Sequence, residues 1–445
     1  MKFGQDLTQG HVTRQLIVFS LPFLLSSLIQ ALYSMADMII VGRFSDAAGI
    51  AAVANGSMVI FIVNGPITGI ITAGTVFIAQ YVGAKNTKEL KETIGTIFTL
   101  FALVAAVIMI GLFTLIDPLL SAINIPAEAF AQTRLYVLIC AAGLLFSYGY
   151  LGVSAILRGM GDSRSPLIFI GLTSVINILL DLFLIGGLHM GAAGAGWATM
   201  LAQVIGFIFA VVYLKKRNFV FDFKIRRFKP DGKRALELIR MALPLALMET
   251  VINVSFILIN AIVNRLGVVP SAAVGVVMRF DIFAMMLSGA MGMSVAAMAG
   301  QNFGAGEYKR IKRILRVSLQ IAVTFAALLF IWIQISPESV LAIFTSDQAI
   351  IASGVLYLRS ASLEYLMVAV VFPLNGFFNG CGRTRFTMLN GLLATIVVRA
   401  PLAFLFGGIG LFAVGFAAPL ASLFQILLGV GYYFGKKRVI FPQRP

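Results

Sequence analysis

Twelve long apolar runs leave this chain few folds. They cover residues 14–41, 48–81, 94–116, 131–157, 165–186, 191–214, 236–263, 270–303, 311–335, 349–380, 385–407 and 409–435. Each approaches the ~20 residues that a helix needs to cross hydrocarbon, and soluble core helices are rarely so long or so uniformly apolar. The short alternating segments of a membrane barrel are missing, so the expectation is an all-α polytopic membrane protein. Composition agrees: 60% of the 445 residues are hydrophobic and 12% are charged. Soluble domains are about half apolar and about a quarter charged. The first run is too long for a cleaved signal and contains Asp37, so it is expected to remain as the first membrane helix.

A net charge of +16 is unexpected in such a chain, and the positions of the bases explain it. With the N-terminus in the cytoplasm, 28 Lys/Arg fall on the cytoplasmic side, ten of them between Lys215 and Arg240. Arg43, Arg134, Arg265 and Arg359 fall outside, while Arg279 and Arg399 lie within helices. That asymmetry predicts a cell-membrane protein with both termini cytoplasmic. Nucleic-acid binding would need a contiguous basic face, and none is present. Cys140 and Cys381 lie far apart in apolar runs, and His11 and His189 have no cysteine cluster beside them. Neither a disulfide framework nor a zinc or haem site follows, and no cofactor is expected.

The chain also repeats itself. Ser20-Leu21-Pro22 returns as Ala242-Leu243-Pro244, and Val41-Gly42-Arg43 as Val263-Asn264-Arg265, both shifted by 222 residues. Gln80-Tyr81-Val82-Gly83-Ala84 matches Gln301-Asn302-Phe303-Gly304-Ala305 at a shift of 221. Arg158-Gly159-Met160-Gly161-Asp162 matches Asn379-Gly380-Cys381-Gly382-Arg383 at the same shift. Six helices per unit is an even number, so both halves enter the membrane in the same direction. Parallel repeats of this kind are a transporter plan, with substrate held at the interface between them. The expected organisation is an N-lobe at 1–214, a basic linker at 215–235 and a C-lobe at 236–445, around a central cleft.

Acids inside membrane segments are costly and are functional candidates by default. Asp37, Asp181, Glu249, Asp281 and Glu364 qualify. At 1.5 Å per residue, Asp37, Asp181 and Thr199 all lie within roughly 8–12 Å of the outer ends of their segments. Tyr33 is one turn from Asp37 and Asn177 one turn from Asp181, each on the same helix face. Two carboxylates in a low-dielectric site cannot both ionise cheaply, so the pair is expected to hold a proton and exchange it for a cation, or to bind sodium. Pro22 removes a backbone hydrogen bond and predicts a kink in the first helix. The plainer alternative is that Asp37 only snorkels to water near Arg43.

These residues resemble a known family. The Pro22…Asp37-x₄-Gly42 pattern, Asn177-x₃-Asp181, the Gly159-x-Gly161 turn and Arg399-x-Pro401-Leu402 look like the MATE (multidrug and toxic compound extrusion) family. The pattern is closest to the prokaryotic DinF-like subclass. The resemblance implies a twelve-helix secondary antiporter, not an enzyme, that exports cationic amphiphilic compounds against protons or sodium. It also implies a coupling-cation site at Asp37, Asn177, Asp181 and Thr199, with Tyr33 beside them, and a Pro22-dependent bend that expels drug. A monomer is expected.

The second half differs. Repeat arithmetic puts Ile259 opposite Asp37 and Leu402 opposite Asp181, so the acidic site is not duplicated. Glu249 and Glu364 are candidates for a C-lobe substrate or cation site, as in some MATE subclasses. Arg279 and Arg399 are expected to pair with Asp281 or Glu364, because buried charges must be compensated. The 37 Phe and 18 Met suit pliable apolar binding, although lipid-facing packing explains most of them. Two rivals remain: a lipid-linked oligosaccharide flippase, which would want several unpaired bases deep in the helices, and a membrane-embedded prenyl transferase-like enzyme, which would want Asp-rich loops.

Overall fold

The computed structural model describes residues 4–217, 219–222, 231–436 and 440–441, and these form helices without a strand. Part of the basic linker expected at 215–235, namely Asn218 and 223–230, lies outside the described residues. In chain order the helices are α1 (Val12–Phe44), α2 (Ala47–Val63), α3 (Gly65–Gly83), α4 (Thr87–Ala122), α5 (Ala127–Ala142) and α6 (Leu144–Gly159). Then follow α7 (Arg164–Asp181), α8 (Gly191–Lys216), α9 (Gly232–Asn264), α10 (Val268–Ala305), α11 (Tyr308–Ile335) and α12 (Pro337–Leu341). The last six are α13 (Gln348–Ala361), α14 (Leu363–Gly380), α15 (Thr384–Leu393), α16 (Ala400–Gly407), α17 (Leu411–Val414) and α18 (Ala417–Gly435). A π-helical turn at Leu182–Gly187 extends α7, and another at Ala394–Arg399 joins α15 to α16.

Among the described residues, ten helical stretches are long and apolar enough to cross a bilayer, and two bent pairs bring the number to twelve. The chain is a multi-pass membrane protein. The bent pairs are where single runs were expected. The 48–81 run breaks at Asn64, whose backbone N–H caps α2 on Ile60 while its side chain accepts a hydrogen bond from the Tyr148 hydroxyl at 3.0 Å. The 131–157 run bends by 49° between α5 and α6. The 349–380 run divides at Ser362, whose hydroxyl accepts from Gln334 and donates to the Arg359 carbonyl. A polar residue stands at two of these three interruptions, and Gly143 at the third, in segments that look continuous by hydropathy.

Burial is arranged for a lipid surround. Large apolar side chains such as Phe61, Leu179 and Phe404 are exposed, while Ser, Thr and Asn side chains are buried. In water such an apolar surface would drive aggregation; in a bilayer it is the solvated face.

The chain divides into two compact units: residues 1–6 with 25–246, and residues 7–24 with 247–445. The chain crosses between them three times: between Asp6 and Leu7 before α1, and twice inside a helix, in α1 between Leu24 and Leu25 and in α9 between Ala246 and Leu247. Each of the crossings inside a helix comes just after a helix-interior proline, Pro22 in α1 and Pro244 in α9. Proline withholds one backbone hydrogen bond and weakens the helix there. The repeat therefore includes the site at which each helix passes from one unit to the other.

Within the first unit, the start of α9 is tied to α4. The Arg234 guanidinium donates to Glu89 at 2.7 and 3.0 Å, pairs with Glu92 and donates to Asp231 at 2.6 Å. The Arg234 backbone N–H, followed by that of Lys233, holds the Asp231 carboxyl below its usual range. Within the second unit, the entry segment before α1 is clamped on α10 and α11. Leu7 is fully buried, its N–H donating to Gln301 and its carbonyl accepting from Asn302 and Arg310. The same unit packs α10 against α14 at backbone contact: a Cβ on Gly376 would lie 2.2 Å from the Gly292 carbonyl oxygen.

That contact separates two glycine substitutions. Gly376→Leu is expected to cost about 2 kcal/mol or more through overpacking against backbone. Gly289→Ala, also in the α10 interior but with nothing within 4 Å of the added carbon, is expected to stabilise by about 0.5–1 kcal/mol through helix propensity. Thermal denaturation of the detergent-purified variants distinguishes the two, by opposite shifts in the midpoint.

Candidate cation site

The five residues expected to cluster in the first half do so. Tyr33 and Asp37 lie on the second part of α1, Asn177 and Asp181 on the last turns of α7, and Thr199 on α8. All belong to the first unit. From Asp37 to the end of α1, and from Asp181 to the end of its π turn, is roughly 10 Å along the axis. The three helices thus bring their polar groups to one level. Asp181 is fully buried and Asn177 nearly so.

Asn177 joins the acids to α8. In the amide orientation that satisfies both partners, its nitrogen donates to Asp181 Oδ2 at 2.8 Å and its oxygen accepts the Thr199 backbone N–H at 3.1 Å. The Asp37 and Asp181 carboxyls face one another in direct hydrogen-bonding interaction. Oδ1 of each is buried and receives no hydrogen bond from a described residue. The Tyr33 hydroxyl bonds to Thr199 and lies within electrostatic reach of both acids. Two facing carboxyls with open oxygens can share one proton between them, or turn both oxygens to a small cation.

Three neighbours escaped the sequence reading. The Tyr136 hydroxyl on α5 hydrogen-bonds to Ser57 on α2 at 3.1 Å, and Tyr136 and Cys140 both lie within electrostatic reach of Asp37. One signal pointed to Tyr136: at the shift of 221 it corresponds to Tyr357. Among the described residues, no three His, Cys, Asp or Glu side chains gather as a metal cage. A sodium ion here would draw on Asp37 and Asp181 with the amide, hydroxyl and phenol oxygens around them.

Pro22 lies about 22 Å along α1 from Asp37, in the part belonging to the second unit. In that unit the repeat geometry survives without the acids, because Ile259 and Leu402, the counterparts of Asp37 and Asp181, meet in one apolar cluster. The remaining charged candidates are placed differently from expectation. Arg279 is exposed. Glu249, half-buried on α9, is not among the charged groups that interact around Arg399.

The expected charge pairs are not made. Among the described residues no ion pair within 4.0 Å joins Arg279 or Arg399 to Asp281 or Glu364. Asp281 instead accepts the Tyr365 hydroxyl at 2.5 Å, and Glu364 Oε1 accepts the Ser422 hydroxyl at 2.8 Å. Arg399 lies over the Phe256 ring at 4.1 Å. Hydroxyls and a ring face take the place of close ion pairs, while Arg399 stays within electrostatic reach of both acids and Glu364 Oε2 is buried without a hydrogen bond from a described residue.

Known proteins share this fold. A solved outward-facing multidrug resistance MATE family transporter of the MOP superfamily superposes with a TM-score of 0.90 at 21% identity, over 99% of this chain and 98% of that one. A probable multidrug resistance protein, YpnP of Bacillus subtilis, is 28% identical over 96% of both chains. A probable multidrug resistance protein, NorM of Thermotoga maritima, is 26% identical over 88% of this chain and 85% of its own. The MatE family model matches twice, at residues 22–183 and 244–405, once in each repeat beginning at or beside its helix proline. The chain belongs to the MatE family.

Proposed function

We propose that this protein is a secondary multidrug antiporter that exports cationic amphiphilic compounds in exchange for protons or sodium, coupled through Asp37 and Asp181. The observation that carries the reading is the pair of facing carboxyls with open, buried oxygens at one level of α1 and α7. Its relatives bear the names of multidrug resistance and multidrug export proteins. The positive-inside asymmetry supports a cell-membrane location with both termini in the cytoplasm, and the reading is of a transporter that works as a monomer.

Coupling follows from charge. With a shared proton the pair carries one negative charge, and with two protons none; each proton lost leaves a charge that hydrocarbon disfavours. A cation that enters must neutralise it, so proton and cationic substrate compete for the same deficit. Asp37 sits on α1, and α1 is weakened at Pro22, close to where it passes between units. Protonation removes the repulsion between the facing carboxyls and lets α1 change its bend at the proline, which contracts the first-unit cavity and expels drug.

A flippase for an anionic lipid-linked substrate would want free bases deep in the helices. Arg279 is exposed and Arg399 lies among acids, which favours cation export.

Dye efflux from proteoliposomes, with a pH gradient and a sodium gradient imposed separately, tests the proposal. Ethidium efflux is expected under at least one gradient, and its absence under both with folded protein overturns the antiport reading. Asp37→Asn is expected to abolish efflux at normal expression; full activity would remove Asp37 from the mechanism. Asn177→Ala strips a donor from Asp181 and an acceptor from Thr199. A lost buried hydrogen bond of about 1–3 kcal/mol corresponds to about fivefold to a hundredfold weaker apparent affinity for the driving cation, read from the cation concentration that gives half-maximal efflux.

A further inference from the structure

The first turns of α11 carry five bases, Lys309, Arg310, Lys312, Arg313 and Arg316, and the coupling scheme uses none of them. Two are engaged within the second unit. Arg310 donates to the Leu7, Gln9 and Gly10 carbonyls and to Gln15, and Lys312 stands over the Phe441 ring at 5.0 Å. The other three, Lys309, Arg313 and Arg316, are exposed, and no ion pair within 4.0 Å joins them to a described acid. Glu307 is the single acid between Asn302 and Ile335.

The three unpaired bases share one helix face, because they follow one another at intervals of four and three residues. The opposite face, with Ile311, Ile314 and Ser318, is buried. At the same spacing the basic face continues into Gln320, Thr324, Leu328 and Ile331, all exposed. Spacing also sets depth. The stretch 317–335 holds no charged residue and is roughly 28 Å long, which matches a hydrocarbon core of ~30 Å. Arg316 therefore stands at the hydrocarbon boundary, with Arg313 and Lys309 about 6 and 12 Å beyond it along the axis. Flexible stems bring their charged heads to the layer of lipid phosphates. One face thus runs from bases at phosphate depth into apolar side chains at acyl depth, the two parts of a phospholipid.

The repeat shows that its frame does not demand this face. At a shift of 221, Arg313 corresponds to Glu92 and Arg316 to Gly95 on α4, and only Lys309 has a basic counterpart, Lys88. There Glu92, with Glu89, holds Arg234. An excess of bases orients a chain whichever faces they occupy. Three unpaired bases on one lipid-facing stripe add a docking surface, and the forked donors of Arg313 and Arg316 match the oxygens of a phosphate.

We propose that Lys309, Arg313 and Arg316 hold the headgroup of an anionic phospholipid, whose acyl chains run along the same face of α11 toward Leu328 and Ile331. Charge complementarity selects this occupant, since an anionic headgroup is the partner that a bilayer offers at that depth. The surface lies outside the coupling site and does not depend on antiport.

Lipid titration tests it. Detergent-purified protein receives dioleoyl phosphatidylglycerol or dioleoyl phosphatidylcholine, and bound lipid is counted on the intact complex by native mass spectrometry. Phosphatidylglycerol is expected to bind more tightly. At about fivefold per base, Lys309→Gln/Arg313→Gln/Arg316→Gln is expected to weaken phosphatidylglycerol binding about a hundredfold and to abolish the preference. Each single glutamine variant is expected to lose about fivefold with an unchanged thermal midpoint, which keeps the test decisive if the triple variant does not fold. Unchanged phosphatidylglycerol affinity in these variants, or equal binding of the two lipids by the unaltered protein, overturns the proposal. Displacement of the lipid by inorganic phosphate at equal concentration also overturns it, by making the face a site for the free ion.

Discussion

The cost of charge in hydrocarbon governs this protein. Each ionisable group inside a membrane helix must find a partner, a proton or a cation, or it expels the helix from the bilayer. The structure answers this cost in three ways. Asp281 and Glu364 take hydroxyls from Tyr365 and Ser422, Arg399 takes the face of Phe256, and Asp37 and Asp181 face each other. Arg399 lies within electrostatic reach of Asp281 and Glu364, and the first two arrangements meet part of that cost with fixed groups. Two facing carboxyls do not, since their own repulsion keeps a proton or cation in demand. A transporter needs a group that is unsatisfied in every single state and satisfied only by exchange.

Helix geometry brings those groups together. Lipid removes the hydrophobic drive between helices, so association rests on close packing and on hydrogen bonds. Close packing is supplied by contacts such as Gly376 on Gly292, and hydrogen bonds by bridges such as Asn177 between Asp181 and Thr199. The same economy explains the breaks in the spans: Asn64 and Ser362 cap their own helices and bind a neighbouring side chain at once.

Much of this was legible in the residues. Twelve apolar runs, the positive-inside asymmetry and the 221–222 shift define the fold class and the repeat, because hydropathy and charge act locally along the chain. The first-half site was legible for a geometric reason: rise per residue puts Asp37, Asp181 and Thr199 at one depth, and the i,i+4 spacing adds Tyr33 and Asn177. Tyr136 and Ser57 were not found, because they reach the site from neighbouring helices and neither spacing nor hydropathy encodes lateral neighbours. The arginine–carboxylate pairs expected in the second half failed for the opposite reason. Neutralisation was foreseen from the cost of charge, but Tyr365, Ser422 and Phe256 are ordinary residues by composition, and only packing turns them into partners. The passage of α1 and α9 between units was hidden too, though the prolines that mark it were plain.

The two halves also show how a repeat acquires different chemistry without changing its frame. Ile259 and Leu402, the counterparts of Asp37 and Asp181, belong to one apolar cluster, so equivalent positions of the repeat carry apolar packing in one half and acids in the other. Charge then reappears about one turn away, on Arg399, with Tyr357 standing where Tyr136 stands. A π turn adds one residue to a helical circuit and rotates every side chain beyond it relative to those before. One such turn after Asp181 and another ending at Arg399 place the charged residue at the junction between two helical registers. At that point a small change in winding reorients a side chain without unfolding the helix, a property suited to a group that must bind, release and bind again.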